Sequence, residues 1–181
     1  RALREALIAL ILEKGYDAIT VQDITDRADL NRGTLYLHYH DKQDLLLSSS
    51  ADVFDELAAQ LAPVTPEQLT IDVPERNLIL IYRHVAANAD FYRVMLGDYG
   101  VPAFIRRLRH IIAQWSLARL EALRALGMPL ASLPSEFIVN YISGAVIGVT
   151  EWWLENDMPL TPEVLARYTC LLYTSPSPRD S

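Results

Sequence analysis

Residues 20–42 read TVQDITDRADLNRGTLYLHYHDK, and the fold follows from how this stretch divides. Thr20 carries a hydroxyl suited to capping a helix that begins at Val21, and Asp23 stands three residues on, at the spacing of a capping box. Val21, Ile24 and Ala28 then share one helical face. After Ala28 the helix stops. Asp29, Leu30 and Asn31 supply a turn in which Leu30 is the only apolar residue and the expected core anchor, while Asn31 is a good N-cap for the next helix. That second helix is expected from Arg32 to about His38, with Leu35 and Tyr39 four apart and inward. Asp41 caps a third that starts at Lys42, whose ammonium is expected near the surface where Tyr36 and His38 emerge. So short a turn makes the first two helices cross steeply, as in a helix-turn-helix.

Working outward, the chain reads as helix almost throughout. The expected fold class is all-α: an N-terminal three-helix helix-turn-helix domain, residues 1–45, followed by a helical bundle, residues 46–169. Residues 1–14 put Leu3, Leu7, Leu10 and Ile11 on one stripe, and Gly15 ends that helix. The helix from Lys42 is expected to reach about Ala62, with Leu46, Ser50, Val53, Leu57 and Leu61 on one side. Pro63 and Pro66 stop it, and residues 63–73 read as a linker. Beyond lie a helix over 74–89 with Leu78, Ile81, Tyr82 and Val85 inward, and a short one, FYRVMLG, capped by Asp90. A long helix over 101–126 carries Phe104, Leu108, Ile111, Ile112 and Trp115 on its apolar face and ends at Gly127. A hairpin of helices, 135–156 and then TPEVLARYTCLL, closes the bundle.

Gly15-Tyr16 at the end of the first helix, Thr20-Val21 with Ile24, Arg27-Ala28, Gly33-Thr34-Leu35-Tyr36, Tyr39 and Lys42 together resemble the TetR family of bacterial transcription regulators. This resemblance covers about the first quarter of the chain; FYRVMLG and the helix after it resemble the C-terminal domain of one subgroup. What the resemblance implies is a cytoplasmic, ligand-responsive repressor that binds a palindromic operator in double-stranded DNA as a homodimer and is released by a small molecule. It implies that Thr20, Tyr36 and Lys42 meet phosphates and fix register, while Arg32, Gly33, Thr34 and His38 face the major groove. Arg32 is expected to read guanine, because a guanidinium can bond both acceptors on that base. A twofold dimer would set two such helices on successive major grooves. Where members usually have Gly in the turn this chain has Asp29, which tolerates the left-handed conformation better than most residues. Members also tend to carry basic residues ahead of the first helix; this sequence opens at Arg1 without an initiator Met, so a truncated start is expected.

A hydrophobic content of 51% and a charged content of 22% suit a soluble folded chain with one or two cores. The net charge of −7 and pI near 5.0 exclude a general nucleic-acid coat, which would be basic overall. Even residues 1–45 are not basic: Arg1, Arg4, Lys14, Arg27, Arg32 and Lys42 are outnumbered by Glu5, Glu13, Asp17, Asp23, Asp26, Asp29, Asp41 and Asp44. Affinity for DNA is therefore expected to rest on two domains binding together and on backbone amides as much as on Lys and Arg. The single Cys170 excludes an internal disulfide and a cysteine-rich zinc site and fits a reducing cytoplasm. No signal peptide is visible. The longest uncharged run, residues 137–150, is shorter than the roughly 20 residues of a membrane helix, so a buried helix and no membrane partner are expected.

The helix over 135–156 is apolar almost all round between Glu136 and Glu151, and Gly144 and Gly148 allow close approach on one side. A dimer interface is expected there; the alternative is that the glycines ease packing within one subunit. Met95, Phe104, Trp115, Tyr141 and Trp152 offer surface to an apolar or aromatic effector, with His84, His110, Gln114 and Asn140 as polar anchors, the alternative at each position being plain core. In the family, ligand shifts the spacing of the two DNA-binding domains through the connecting helix, here 42–62. His38 and His40 are joined by no Cys or carboxylate at ligand spacing, and no nucleophile elbow or phosphate loop is present, so neither metal, cofactor nor catalytic residue is expected. A helical small-molecule-binding module without DNA reading stays open beside the regulator because the first domain is acidic. Residues 170–181, CLLYTSPSPRDS, break into Ser and Pro and resemble a translation of sequencing-adapter DNA; they are set apart as a non-native tail, with part of the last helix expected to be missing.

Overall fold

The computed structural model describes residues 1–60, 72–97, 102–125, 127 and 133–174, and among these the secondary structure is helical without a strand. In chain order the helices are α1 Ala2–Lys14, α2 Val21–Arg27, α3 Arg32–Tyr36, α4 Lys42–Gln60, α5 Asp72–Ala87, α6 Ala89–Leu96, α7 Pro102–Ala125, α8 Ser135–Glu155 and α9 Pro162–Thr174. They form two compact units that interleave in sequence: Arg1–Ala59 with Asn88–Ile105, and Gln60–Ala87 with Arg106–Ser181. Leu61, Pro63, Pro66 and most of the linker expected over 63–73 lie outside the described residues.

In the first unit the apolar stripe of α1 is buried as its spacing predicts, Leu3, Leu7, Leu10 and Ile11 all being inside. Gly15 then takes φ 78° and donates its N–H to Ile11 O at 2.9 Å, a conformation that costs glycine nothing and any L side chain strain. α1 packs against α2 and α6, and Ile24, Leu35, Leu45 and Val53 complete this core. An aromatic cluster supports it. Phe54 stacks on Phe104 with ring centroids 5.1 Å apart, and Phe91 meets Phe104 edge-on at 5.6 Å, pairings each worth about 0.5–1.5 kcal/mol beyond simple burial. Burial first, and then the charge of Glu56, raise the Tyr92 hydroxyl well above the usual phenol range.

The second unit is organised by α5 against α9. The Thr169 hydroxyl donates to Leu165 O at 2.8 Å and so accepts from the Tyr82 hydroxyl at 3.0 Å. Trp153, fully buried, stands edge-on to Tyr82 at 5.8 Å and donates its indole N–H to Leu160 O at 2.8 Å. α8 is closed by Met158 N–H on Trp153 O at 2.7 Å, with Asp157 at φ 55° and Met158 at φ 54°, which reverses the chain into α9. Arg83 and Glu163 pair at 2.7 Å across α5 and α9.

Some expectations shift. α5 starts at Asp72, two residues before Pro74, because a missing N–H in the first turn breaks no helical hydrogen bond. Trp115, expected on the apolar face of α7, is exposed. α9 carries on past residue 170 to Thr174, since Cys170 continues the buried side begun by Leu165, Ala166 and Thr169.

Candidate nucleic-acid interface

The start of α2 is held by the predicted capping box. Asp23 N–H donates to Thr20 Oγ1 at 3.2 Å, while the Thr20 hydroxyl and the Thr20 backbone N–H donate to one Asp23 carboxylate oxygen at 2.6 and 2.7 Å. Lys14, at the end of α1, pairs with the other oxygen at 3.1 Å. The Thr20 hydrogen bonds foremost, with Lys14 behind them, hold the Asp23 carboxyl down to about 2. The Thr20 hydroxyl proton is thereby used on its own helix.

The turn after α2 is a Schellman closure: Leu30 N–H donates to Thr25 O at 2.9 Å and Asp29 N–H to Asp26 O at 3.3 Å, with Asp29 at φ 54°. Leu30 is not the core anchor the sequence suggests, being 36% exposed. Backbone hydrogen bonds close the turn, and Thr25 is fully buried behind it, its hydroxyl satisfied by Val21 O and Gln22 O at 3.1 Å. Nothing in the pattern of apolar residues distinguishes Thr25 from a solvent-facing polar residue.

α3 begins at the Asn31 side chain, which accepts the Thr34 N–H at 2.9 Å and the Thr34 hydroxyl at 3.2 Å. A Cβ on Gly33 would stand 3.1 Å from that same Asn31 oxygen, so the cap itself crowds any larger residue there. The helix proper spans only Arg32–Tyr36, two residues short of the expected end, yet Leu37 N–H on Gly33 O and Tyr39 N–H on Leu35 O keep the winding going at 3.0 and 2.9 Å. Leu35 is fully buried, whereas Arg32, Gly33, Tyr36, Leu37 and His38 are exposed. Leu37, which the sequence pattern does not single out, is 81% exposed.

α4 opens with Asp41 accepting the Asp44 N–H at 2.8 Å. Lys42, expected beside Tyr36 and His38, instead sends its ammonium to Tyr16 O and Ile19 O, both at 2.9 Å. An ammonium has three donors, so one stays available. The other cations are mostly spent: Arg1 on Glu5, Arg4 on Glu56, Lys14 on Asp23, and Arg27 on both oxygens of Glu13. Among the described residues Arg32 makes no ion pair, and it stands exposed at the start of α3.

The remaining candidates fall in several environments. Met95 and Phe104 are buried in the first unit's core. In the second unit His84 is buried, His110 and Trp115 are exposed, and Tyr141 is 67% exposed. On α8, Phe137, Tyr141, Gly144, Gly148 and Trp152 are exposed, while Val139, Ser143, Val146, Ile147, Thr150, Trp153 and Leu154 are buried. A Cβ at Gly144 or Gly148 would meet nothing within 4 Å. On α9, Tyr168, Leu171 and Leu172 are exposed as well. α8 is, among the described residues, the one helix long and apolar enough to cross a membrane by length and composition, although its uncharged run alone falls short of that length. No described group of His, Cys, Asp and Glu could hold a metal ion.

Residues 3–48 match the family described as bacterial regulatory proteins, tetR family, and residues 72–174 match the transcriptional regulator C-terminal region. The HTH-type transcriptional regulator YxbF of Bacillus subtilis (strain 168) is 26% identical over 171 aligned positions, covering 92% of this chain and 42% of that protein. The chain spans less than half the length of the Bacillus subtilis relatives it matches, 42% of YxbF and 34% of YuxN. The structure of a TetR transcriptional regulator from Streptococcus agalactiae 2603V is 30% identical with a TM-score of 0.68, covering 94% of this chain and 90% of that one. The fatty acid degradation regulator FadR from Bacillus halodurans has the same fold, with a TM-score of 0.74 at 19% identity over 97% and 98% of the two chains. With one family match over more than half its length and another over the helix-turn-helix, the chain belongs to the TetR family of bacterial transcription regulators.

Proposed function

We propose that this TetR-type regulator is a cytoplasmic repressor that binds a palindromic operator in double-stranded DNA as a homodimer and leaves it when an apolar or aromatic small molecule binds. The observation that carries the DNA reading is Arg32: it is exposed at the start of α3 without an ion pair among the described residues, while Lys14 and Arg27 of the same domain are paired with carboxylates. Arg32, Gly33, Thr34 and His38 face the major groove. Tyr36 and the remaining donor of Lys42 meet phosphates, and Thr20 fixes register by holding the start of α2. The division of labour follows the chain: residues 1–45 read DNA, and 46–169 bind effector and dimerise.

The exposed apolar side of α8 supports the dimer reading. Phe137, Tyr141 and Trp152 lie in water beside two glycines open to close approach, and a second copy would cover them. This arrangement also accounts for a helix apolar enough to resemble a membrane span. It favours the interface over the effector for Tyr141 and Trp152.

Selection from a random duplex library, followed by fluorescence anisotropy over a salt series, tests the reading. A palindromic site is expected, with affinity falling steeply with salt, by a slope of about 0.9 for each phosphate contact. Failure to enrich any sequence would overturn DNA reading and leave the small-molecule-binding module, which the neutralised cations of the first unit favour.

A further inference from the structure

Leu37 is the most exposed large apolar side chain among the described residues, at 81%. Its N–H donates to Gly33 O at 3.0 Å, one helical turn back. Side chains on a helix lean toward its N-terminus, so Leu37 stands over a residue that has no side chain of its own. Arg32, Tyr36 and His38 are exposed too, and Leu35, on the side opposite Leu37, is fully buried. The apolar end of Leu37 is therefore carried on the reading surface itself, where polar groups would be expected to do all the work. Base edges in the major groove offer one apolar group, the C5-methyl of thymine.

We propose that Leu37 is a specificity-determining residue that reads a thymine methyl in each half-site, close to the base met by Arg32. This rests on the DNA reading proposed above. The experiment takes the site selected by the wild-type chain and replaces its thymines one at a time with uracil, which keeps the base-pairing groups and removes only the methyl. Wild type and Leu37→Ala are titrated against each duplex by anisotropy, with circular dichroism confirming that the exposed substitution leaves the fold intact. At one thymine per half-site, uracil is expected to weaken wild-type binding about fourfold, the value of one buried methyl, while Leu37→Ala binds both duplexes equally. Indifference of the wild type to uracil everywhere, or an unchanged uracil penalty in Leu37→Ala, overturns the assignment while DNA reading stands. If no site is enriched at all, the DNA reading and this assignment fall together.

Discussion

The Lys42 ammonium donates to Tyr16 O at 2.9 Å and sits 4.4 Å from the centroid of the Tyr16 ring, with Ile19 O as its second acceptor. It ties the start of α4 to the connection between α1 and α2, so one residue joins the connecting helix to the frame that carries α3. Lys42→Met should lower stability by about 1–3 kcal/mol in urea unfolding, since two charge-assisted hydrogen bonds are lost. DNA affinity should fall evenly across sequences, with the salt slope reduced by about 1. Lys42→Arg separates the two roles: it keeps the charge and the slope, but puts a longer, rigid planar fork where two carbonyls converge on a compact ammonium, so stability should fall while the slope holds. Wild-type stability in Lys42→Met would refute the tether.

Arg32→Ala should leave the fold untouched, because Arg32 is exposed and makes no ion pair among the described residues. Sequence preference at one position of each half-site should relax by about 1–3 kcal/mol, read by competition binding with single-base variants of the selected site. A loss equal on every sequence would reassign Arg32 to the phosphate backbone.

Asp23 sets an acid limit on the α1–α2 junction. Its carboxyl is depressed from the ordinary 3.8 to about 2, so the charged form is favoured in the fold. The stabilisation is fully present above about pH 4 and is lost as pH falls through about 2. Asp23→Asn should be less stable than wild type at neutral pH and converge with it near pH 2, in acid unfolding followed by circular dichroism. Parallel curves across that window would show that the capping box carries no charge contribution.

Gly148→Trp should give a folded chain that no longer dimerises, because a Cβ there points into open space, with nothing within 4 Å, and the indole would stand in the proposed interface. Gly148→Ala should add up to about 1 kcal/mol of helix stability. Sedimentation velocity on both variants decides between interface and internal packing: a dimer unaffected by tryptophan would remove α8 from the interface.

The helix-turn-helix is legible in the sequence because its signals are local. A capping box at Thr20 and Asp23, an N-cap at Asn31 and a helical stripe through Leu7 and Ile11 depend on residues three or four apart, and spacing alone dictates them. Leu30 and Trp115 mislead for one reason: an apolar residue in a turn or on a helix face reads as core, and whether anything covers it is a matter of tertiary contact. The ligand candidates rest on residue type, which cannot separate the buried Met95 and Phe104 from the exposed Tyr141.

Sequence by itself determined the helical class, the order of the helices and the three-helix frame, since periodicity and caps are properties of neighbouring residues. Only the tertiary structure decided how the charges are spent. Four of the first domain's cations meet carboxylates and Lys42 meets two carbonyls, leaving Arg32 exposed without an ion pair among the described residues. Arg4 with Glu56 and Arg27 with Glu13 are 52 and 14 residues apart. Partners so far apart are chosen by packing, which brings distant side chains within hydrogen-bond reach, and no local pattern in the chain encodes that choice.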